Sequence, residues 1–529
     1  MQPTFNLVTE PWIPVVTLSG QWQELSLREV LAQAHKLRGI TDNNPLTTVA
    51  LHSLLLAILH RAIAGPKNYT EWKQLWHKQN LLDPRLENYL TDWQHRFDLF
   101  APDYPFYQTA HFTTRSAPIS IRKLFHELAT ANNKTLFDHS VDKIPLYLTP
   151  NLAARALLTF QMYSLGGGNG TTSKQFGKHD NLADASLIAG VVVLVLGQNL
   201  FETLLLNLMI YYQDNPIPRS DEVEDLPVWE QEIYTKLTKR TPNGYLDYLT
   251  WRNRHIRLLL TPTGDVTHFY QAQADKLANT IRDPRFTYKI IKTNNKNKTN
   301  TNNKKFPVKL SIKRAFWRDS DSLFTFSDEH RSLVFKQVVK LDAQLEEEGY
   351  SLPANGMKCL VIGLANDEAN PLLWRAEELP IPEHILTHEQ LSRYLALALK
   401  CAEKIGEILR FNLQRLAELL LTQDRRKADK KKVNHLIQNW ETEAAFWNNL
   451  ELPFRQFLED LPNHEATLDN YLTEWQIAVR EIAISALETT TKNCLHYSAR
   501  EMQARVKVIA QFNGYTYKLL SSPIRENAA

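Results

Sequence analysis

Apolar positions along the chain change their spacing once. Over the first 380 residues, short alternating or β-branched runs are interleaved with helical periods. Ile13-Pro14-Val15-Val16-Thr17-Leu18 and Gln21-Trp22-Gln23-Glu24-Leu25 read as two strands around a Ser19-Gly20 turn. Ser26 and Glu29 are spaced as a capping box and open a helix toward Ala34. Residues 47–64 carry Val49, Leu51, Leu54, Leu55, Ile58 and Leu59 and stop at Gly65-Pro66, which predicts a strongly apolar helix. Residues 191–196 read as a core strand, 200–211 as the helix after it, and 257–260 and 358–363 as further strands.

Beyond Pro380-Ile381-Pro382 the period becomes purely helical. Thr387 and Gln390 are spaced as a capping box, and Leu391, Leu395, Ala398, Ala402, Ile405, Leu409, Leu413, Leu416 and Leu420 follow at three or four residues. A second run covers 428–461 with a break near Pro453. A third places Leu468, Leu472, Trp475, Val479, Ile482 and Ala486 on one stripe. A fourth runs from Ser498 to an interruption at Gly514. The expectation is an α+β chain: a large mixed α/β domain over 1–380, then a four-helix bundle over 387–529.

Composition adds exclusions. The chain has 529 residues, a net charge of +3 and 43% apolar residues, so overall charge does not mark a nucleic-acid binder and any such surface must come from clustering. Cys359, Cys401 and Cys494 lie far apart with no CxxC, which supports neither a zinc ribbon nor a disulfide framework and fits a reducing, cytoplasmic interior. The N-terminus lacks the basic and apolar regions of a signal peptide. The apolar run 187–197 is half the length of a bilayer span, so no membrane contact is expected.

One cluster stands out. Residues 293–303 consist only of Thr, Asn and Lys, a composition that predicts a mobile loop. The segment 282–318 around it holds twelve Lys/Arg, among them Arg285, Lys289, Lys309, Lys313 and Arg314, against one acid. Even spreading would place about four there. Phe286, Tyr288, Phe306, Phe316 and Trp317 lie among these charges. Basic side chains bind phosphates and aromatics stack on bases, so this segment is a candidate for non-specific DNA contact; a solvated face with core aromatics explains it about as well. The run 425–432 is a second basic stretch.

Tests for catalysis fail on spacing. His126-Glu127 begins like a zincin helix, but Thr130 stands where the second histidine is needed, so a structural helix is expected. His179-Asp180 has no companion set. Gly166-Gly167-Gly168-Asn169-Gly170 ends without the Gly-Lys-Ser/Thr of a phosphate loop. The reading is no catalytic residue, no metal and no cofactor; the alternative is a metal-dependent nucleic-acid-processing enzyme whose site escapes recognition.

The string Phe5-Asn6-Leu7-Val8-Thr9-Glu10-Pro11-Trp12-Ile13-Pro14-Val15 resembles the opening of the CasA family, the large subunits of the type I-E CRISPR Cascade surveillance complex. Further segments agree in order: Asn132-Asn133-Lys134-Thr135-Leu136-Phe137-Asp138-His139, Gly166-Gly167-Gly168, residues 200–208 and residues 244–251. The resemblance implies an α/β domain with a C-terminal bundle and a non-catalytic subunit of an RNA-guided antiviral complex. It implies recognition of the short PAM duplex beside the target from the minor groove, duplex opening and R-loop stabilisation, while guide pairing reads the sequence. Its partners would be guide crRNA, target double-stranded DNA, the backbone, 5′-end cap and small subunits, and a helicase-nuclease.

By the same resemblance Gly166, Gly167 and Gly168 would lie against the groove, and Lys276 would donate to minor-groove acceptors. A wedge would come from the stretch holding Asp367, Glu368 and Asn370. Glu368 stands where relatives carry glutamine, and a carboxylate is repelled by phosphate, so it acts sterically or a neighbouring Asn takes the polar role. Asn132, Asn133 and Phe137 would help anchor the subunit near the RNA and its neighbour. Some relatives have zinc-suited cysteine pairs near this loop; this chain has none there.

Overall fold

Two left-handed residues and a ring contact fix the end of a long, deeply buried helix. The helix Pro45–Ile63 starts at Asn44, whose side chain accepts from the Leu46 amide at 3.0 Å, and stops where Ala64 takes φ +58°. Gly65 follows at φ +59°, with Tyr211 ring carbons 2.3 Å from where a Cβ would sit. This helix, not the 187–197 run, is long and apolar enough to cross a membrane, with a mean hydropathy of 1.6; 83% of that window is buried inside the fold. It packs against the helices Pro84–Asp92, Pro150–Tyr163, Leu200–Asn207 and Tyr245–Leu249 and the strand Lys358–Asp367. The computed structural model describes residues 3–521 apart from 113, 115–116, 129–144, 168–180, 212–222, 233–237, 279–281, 294–301, 313, 325–330, 350–351, 353–356, 383, 423–427 and 494–497.

Three small antiparallel sheets surround this core. Ile13–Thr17 pairs with Trp22–Leu25 and Leu37–Ile40, and Ser26 and Glu29 close the expected capping box at Leu27–Gln33. Val192–Leu196 pairs with Lys358–Asp367, which turns into Asn370–Pro380. Arg254–Leu260 pairs with Val266–Gln273, whose far side carries Ile119–Ser120. The strands at 254 and 358 exceed their expected lengths, and the helix after Val192–Leu196 ends at Asn207 rather than 211.

The chain divides into two units: Met1–Phe316 with Asp328–Pro353 and Met357–Leu379, and Pro380–Ala529 with Trp317–Ser327 and Ala354–Gly356. Within the second, the 33-residue helix Glu389–Leu421 buries Leu391, Leu395, Ala398, Ala402, Ile405, Leu409, Leu413 and Leu416 against Leu468–Asn493 and Ala499–Ser521. Trp475 donates its indole N–H to the Ala398 carbonyl at 3.0 Å. Inside this unit, Arg318 pairs with Glu403 at 2.8 Å and lies 3.4 Å over the Trp447 ring.

The bundle departs from its sequence pattern at three places. The N-cap position of its first helix is His388, whose side chain makes no capping hydrogen bond, and not Thr387, whose hydroxyl donates to the His384 carbonyl at 3.0 Å. The second run splits at Glu441 (φ +53°) into Lys430–Trp440 and Thr442–Asp460, while Pro453 sits inside the latter without ending it. Burial of Leu450, Phe454, Phe457 and Leu458 on both sides outweighs the ~3 kcal/mol cost of an internal proline. Gly514 likewise does not stop Ala499–Ser521, because Phe512 and Thr516 anchor either side of it.

Candidate nucleic-acid interface

Where backbone must pass very close to backbone, only glycine fits. A Cβ on Gly166 would lie 2.8 Å from the Leu182 carbonyl oxygen and 2.9 Å from the Asp184 amide. The close approach is held by hydrogen bonds: the Gly166 amide donates to Asp184 Oδ1 at 2.6 Å, Gly167 N–H to the Leu182 carbonyl at 2.9 Å, and Ala185 N–H to Ser164 O at 2.8 Å. Gly167 needs its freedom twice over. Its φ is +96°, and a Cβ there would stand 3.1 Å from the Cβ of Ala369. That contact joins the glycine segment to the tip of the hairpin Lys358–Asp367/Asn370–Pro380, just over two hundred residues downstream.

The hairpin tip is the Glu368-Ala369 turn. Glu368 adopts φ +49°, a left-handed conformation uncommon for a non-glycine residue, and Asn366 Nδ2 donates to its carbonyl at 2.7 Å. Asn366 is therefore engaged in shaping the turn, while the side chains of Asp367, Glu368 and Asn370 are exposed.

Lys276 follows a strand whose end bonds next to the glycine segment. Gln273 Oε1, at the end of Val266–Gln273, accepts from the Ala183 amide at 2.7 Å, and Lys276 follows three residues later. Its strand Lys276–Leu277 runs parallel to Lys239–Arg240, with Lys276 N–H donating to the Thr238 carbonyl at 2.8 Å. Asp275 anchors the turn before it by accepting from Thr238 N–H at 3.0 Å, its hydroxyl at 2.9 Å and Arg240 Nε at 2.8 Å. Gly167 and the 367–370 tip thus meet although far apart in sequence, and Lys276 lies three residues beyond Gln273, which bonds beside the glycine segment. Gly168, with Asn132, Asn133 and Phe137, lies outside the described residues, as do His179 and Asp180.

Beneath the glycine segment lies a polar group that sequence reasoning did not find. Gln161, on the helix Pro150–Tyr163, accepts from the Asn253 and Arg254 amides at 3.0 and 2.9 Å, and Asn253 Nδ2 donates to Ser164 Oγ at 2.7 Å. Arg254 is 0% exposed. Burial lowers its pKa to about 9, against the pull of the Asp184 carboxylate. Only a polar residue at the buried end of a strand could have hinted at this group, and RHIRLLL reads as an ordinary amphipathic strand.

The basic segment separates into structural and surface charges. Arg285 is not a DNA contact. It is 1% exposed, and its guanidinium donates from Nε and Nη2 to the two Asp283 oxygens at 3.0 and 2.9 Å and from Nη1 to Ser53 Oγ at 2.6 Å. Burial works to lower its pKa, but the adjacent Asp283 carboxylate overrides that and raises it. The sequence pattern missed this because Asp283, the segment's one acid, lies two residues away and neutralises it.

Phe286, Tyr288, Phe316 and Trp317 are buried as core aromatics. What faces solvent is Lys289, Lys305, Lys309 and Phe306, the last 45% exposed. Phe306 is the cross-strand partner of Lys289 in the hairpin Tyr288–Thr293/Asn302–Pro307, which takes up both ends of the Asn/Lys/Thr stretch. Arg314 is half-buried, its carbonyl accepting from Arg375 Nη1 at 2.9 Å; Lys313 lies outside the described residues.

The enzyme-like motifs resolve into structure where they are described. His126 is buried, with Nε2 2.9 Å from the Tyr163 carbonyl, and burial lowers its pKa. It sits in a bend rather than the expected helix, and Glu127 accepts from Asn44 Nδ2 at 3.2 Å. Among the described residues no group of three or more His, Cys, Asp or Glu side chains is arranged to hold a metal ion.

Known proteins share this architecture. The family described as CRISPR-associated protein Cse1 matches residues 6–486. CRISPR-associated protein CasA/Cse1 from Thermus thermophilus is 31% identical over 512 residues, covering 94% of this chain and 95% of the relative. The crystal structure of Thermus thermophilus CasA matches with a TM-score of 0.79 at 28% identity, over 97% of this chain and 99% of that one. Cse1 from Thermobifida fusca matches with a TM-score of 0.81 at 25% identity, over 98% of each chain. A chain of a CRISPR RNA-guided surveillance complex shares the fold, with a TM-score of 0.73 at 19% identity over 97% of this chain and 100% of that one. From its family match, its identity to a CasA/Cse1 relative over nearly the full length of both, and the shared fold, the chain belongs to the CRISPR-associated Cse1 (CasA) family.

Proposed function

We propose that the chain is the large, non-catalytic subunit of a cytoplasmic RNA-guided CRISPR surveillance complex. In this reading it inspects the PAM duplex from the minor groove and helps to open it. One observation carries the reading: Gly167 packs on Ala369, so a segment built for close backbone approach and an exposed hairpin tip form one surface; Lys276, three residues beyond Gln273, is proposed to act beside it. Minor-groove edges offer mainly acceptors, adenine N3 and thymine O2, which an ammonium donor can address. That pattern separates base pairs incompletely, so several PAMs should be accepted. Glu368, in a strained turn and anionic, serves this reading as a steric wedge that fills the gap left by an unstacked base step; opening costs a few kcal/mol per step, offset by guide pairing and PAM contacts. The guide crRNA, the other Cascade subunits and a helicase-nuclease are the partners, and the bundle is the surface that meets the small subunits.

The test is binding of the assembled complex to matched targets with and without a PAM. Lys276→Ala should reduce the preference for the PAM-bearing target by about tenfold, the worth of one good base-edge contact. An unaltered preference would leave a purely structural assembly role. Lys289 and Lys309, with exposed Phe306 beside the former, are proposed to hold duplex or displaced strand. Reversing both charges should weaken DNA binding and flatten its salt dependence, by about one unit of log–log slope for each phosphate no longer neutralised. Equal affinities at two salt concentrations would reject that assignment.

A further inference from the structure

Arg254 is a fully buried guanidinium with which no carboxylate forms an ion pair among the described residues. Burying a charge is costly unless hydrogen bonds replace its water. Here four neutral oxygens do so. Nη1 donates to the Asn253 carbonyl and to Gln273 Oε1, both at 3.1 Å; Nη2 donates to the Leu165 carbonyl at 3.1 Å and the Ala183 carbonyl at 2.7 Å. Nε has no partner.

Leu165 precedes Gly166, and Ala183 lies between the two residues that hold Gly166 and Gly167. One planar nitrogen therefore grips both sides of the glycine crossing. Gln273, the other end of the same fork, is simultaneously bonded to the Ala183 amide and leads to Lys276. The guanidinium thus ties the glycine segment to the end of the strand Val266–Gln273, three residues before the lysine.

We propose that Arg254 is a positioning residue for motif recognition, setting where Gly166 and Gly167 lie relative to Lys276. The inference rests on the reading under Proposed function. A core arginine kept only for stability would show itself equally in every binding measurement. A positioning arginine acts on motif reading and leaves binding to an already opened target alone. Lysine keeps the charge but has one nitrogen in place of the fork, so it cannot span Leu165, Ala183 and Gln273 together.

The experiment compares wild-type complex with complexes carrying Arg254→Lys, Asn253→Ala or Lys276→Ala. Each is tested on duplex targets with and without the PAM and on a target whose first guide-complementary base pairs are pre-opened by mismatch. Arg254→Lys should lower the preference for the PAM-bearing duplex about tenfold, while affinity for the pre-opened target stays within about twofold of wild type. Asn253→Ala, which removes the tie to Ser164 and keeps the charge, should shift the preference in the same direction by a smaller factor, and decides the matter if the lysine variant fails to assemble. Equal losses on both target types, or an unchanged preference, would overturn the positioning role. If Lys276→Ala also leaves the preference intact, the minor-groove reading itself fails; if Lys276→Ala loses it while both Arg254→Lys and Asn253→Ala keep it, only the role of Arg254 fails.

Discussion

Asp283→Ala should be the most damaging single substitution in the α/β unit. It leaves the Arg285 guanidinium buried without its bidentate partner and strips Tyr248 of the carboxylate its hydroxyl donates to at 2.9 Å. Breaking a buried pair from one side costs about 3–5 kcal/mol, because the surviving charge stays desolvated. The pair also fixes the entry to the hairpin 288–307, since the Arg285 carbonyl accepts from Val193 N–H at 3.0 Å at the edge of a core strand. Thermal melting of the isolated chain measures the loss. The double substitution Asp283→Leu with Arg285→Met should recover much of it, because no charge is then stranded. If Asp283→Ala melts within the range of an ordinary surface change, about 0.5 kcal/mol, the pair is not the keystone its geometry suggests.

Gly166→Ala should have the largest effect on target recognition. The new Cβ would press on backbone atoms of Leu182 and Asp184, and neither can rotate away as a side-chain tip could. The segment must lift, carrying with it the surface proposed to face the duplex. A displacement that breaks one or more groove contacts should lower PAM-dependent affinity by tenfold or more, roughly 1.4 kcal/mol per factor of ten. Gly167→Ala should act through a different route, combining a left-handed backbone, which costs an L-residue about 1–2 kcal/mol, with a crowded Ala369. Adding Ala369→Gly should relieve only the crowding. Full rescue by Ala369→Gly would mean that the backbone conformation contributes nothing, and wild-type affinity for Gly166→Ala would dismiss the close approach as unimportant for binding.

Much of the fold was readable because local signals and burial agree. Ser26 and Glu29 cap a helix as their spacing requires, and the Ser19-Gly20 turn separates the first two strands, which pair antiparallel. The errors fall where packing overrides a local preference: Pro453 and Gly514 continue helices they would break in isolation, because buried neighbours on each side hold the rod together. The charge count over 282–318 was correct as arithmetic and incomplete as physics, since Arg285 and Arg318 direct their charge at Asp283 and Glu403. The contacts at the candidate site carry no signature in the sequence pattern. No period or spacing brings Gly167 to Ala369, and the Arg254 fork joins residues that share no pattern at all.

The helix Pro45–Ile63 has a consequence for how the polypeptide is made. Its apolar surface is wrapped on every side, and part of the wrapping is the strand Lys358–Asp367, encoded some 300 residues later. At ribosomal speeds of ~5–20 residues per second, about 15–60 seconds separate the two. Until that strand emerges, part of the surface of a segment that, by length and composition, passes for a bilayer anchor lacks its native cover. Early neighbours such as Pro84–Asp92 and Pro150–Tyr163 are therefore its first shelter during translation, well before the native interior closes.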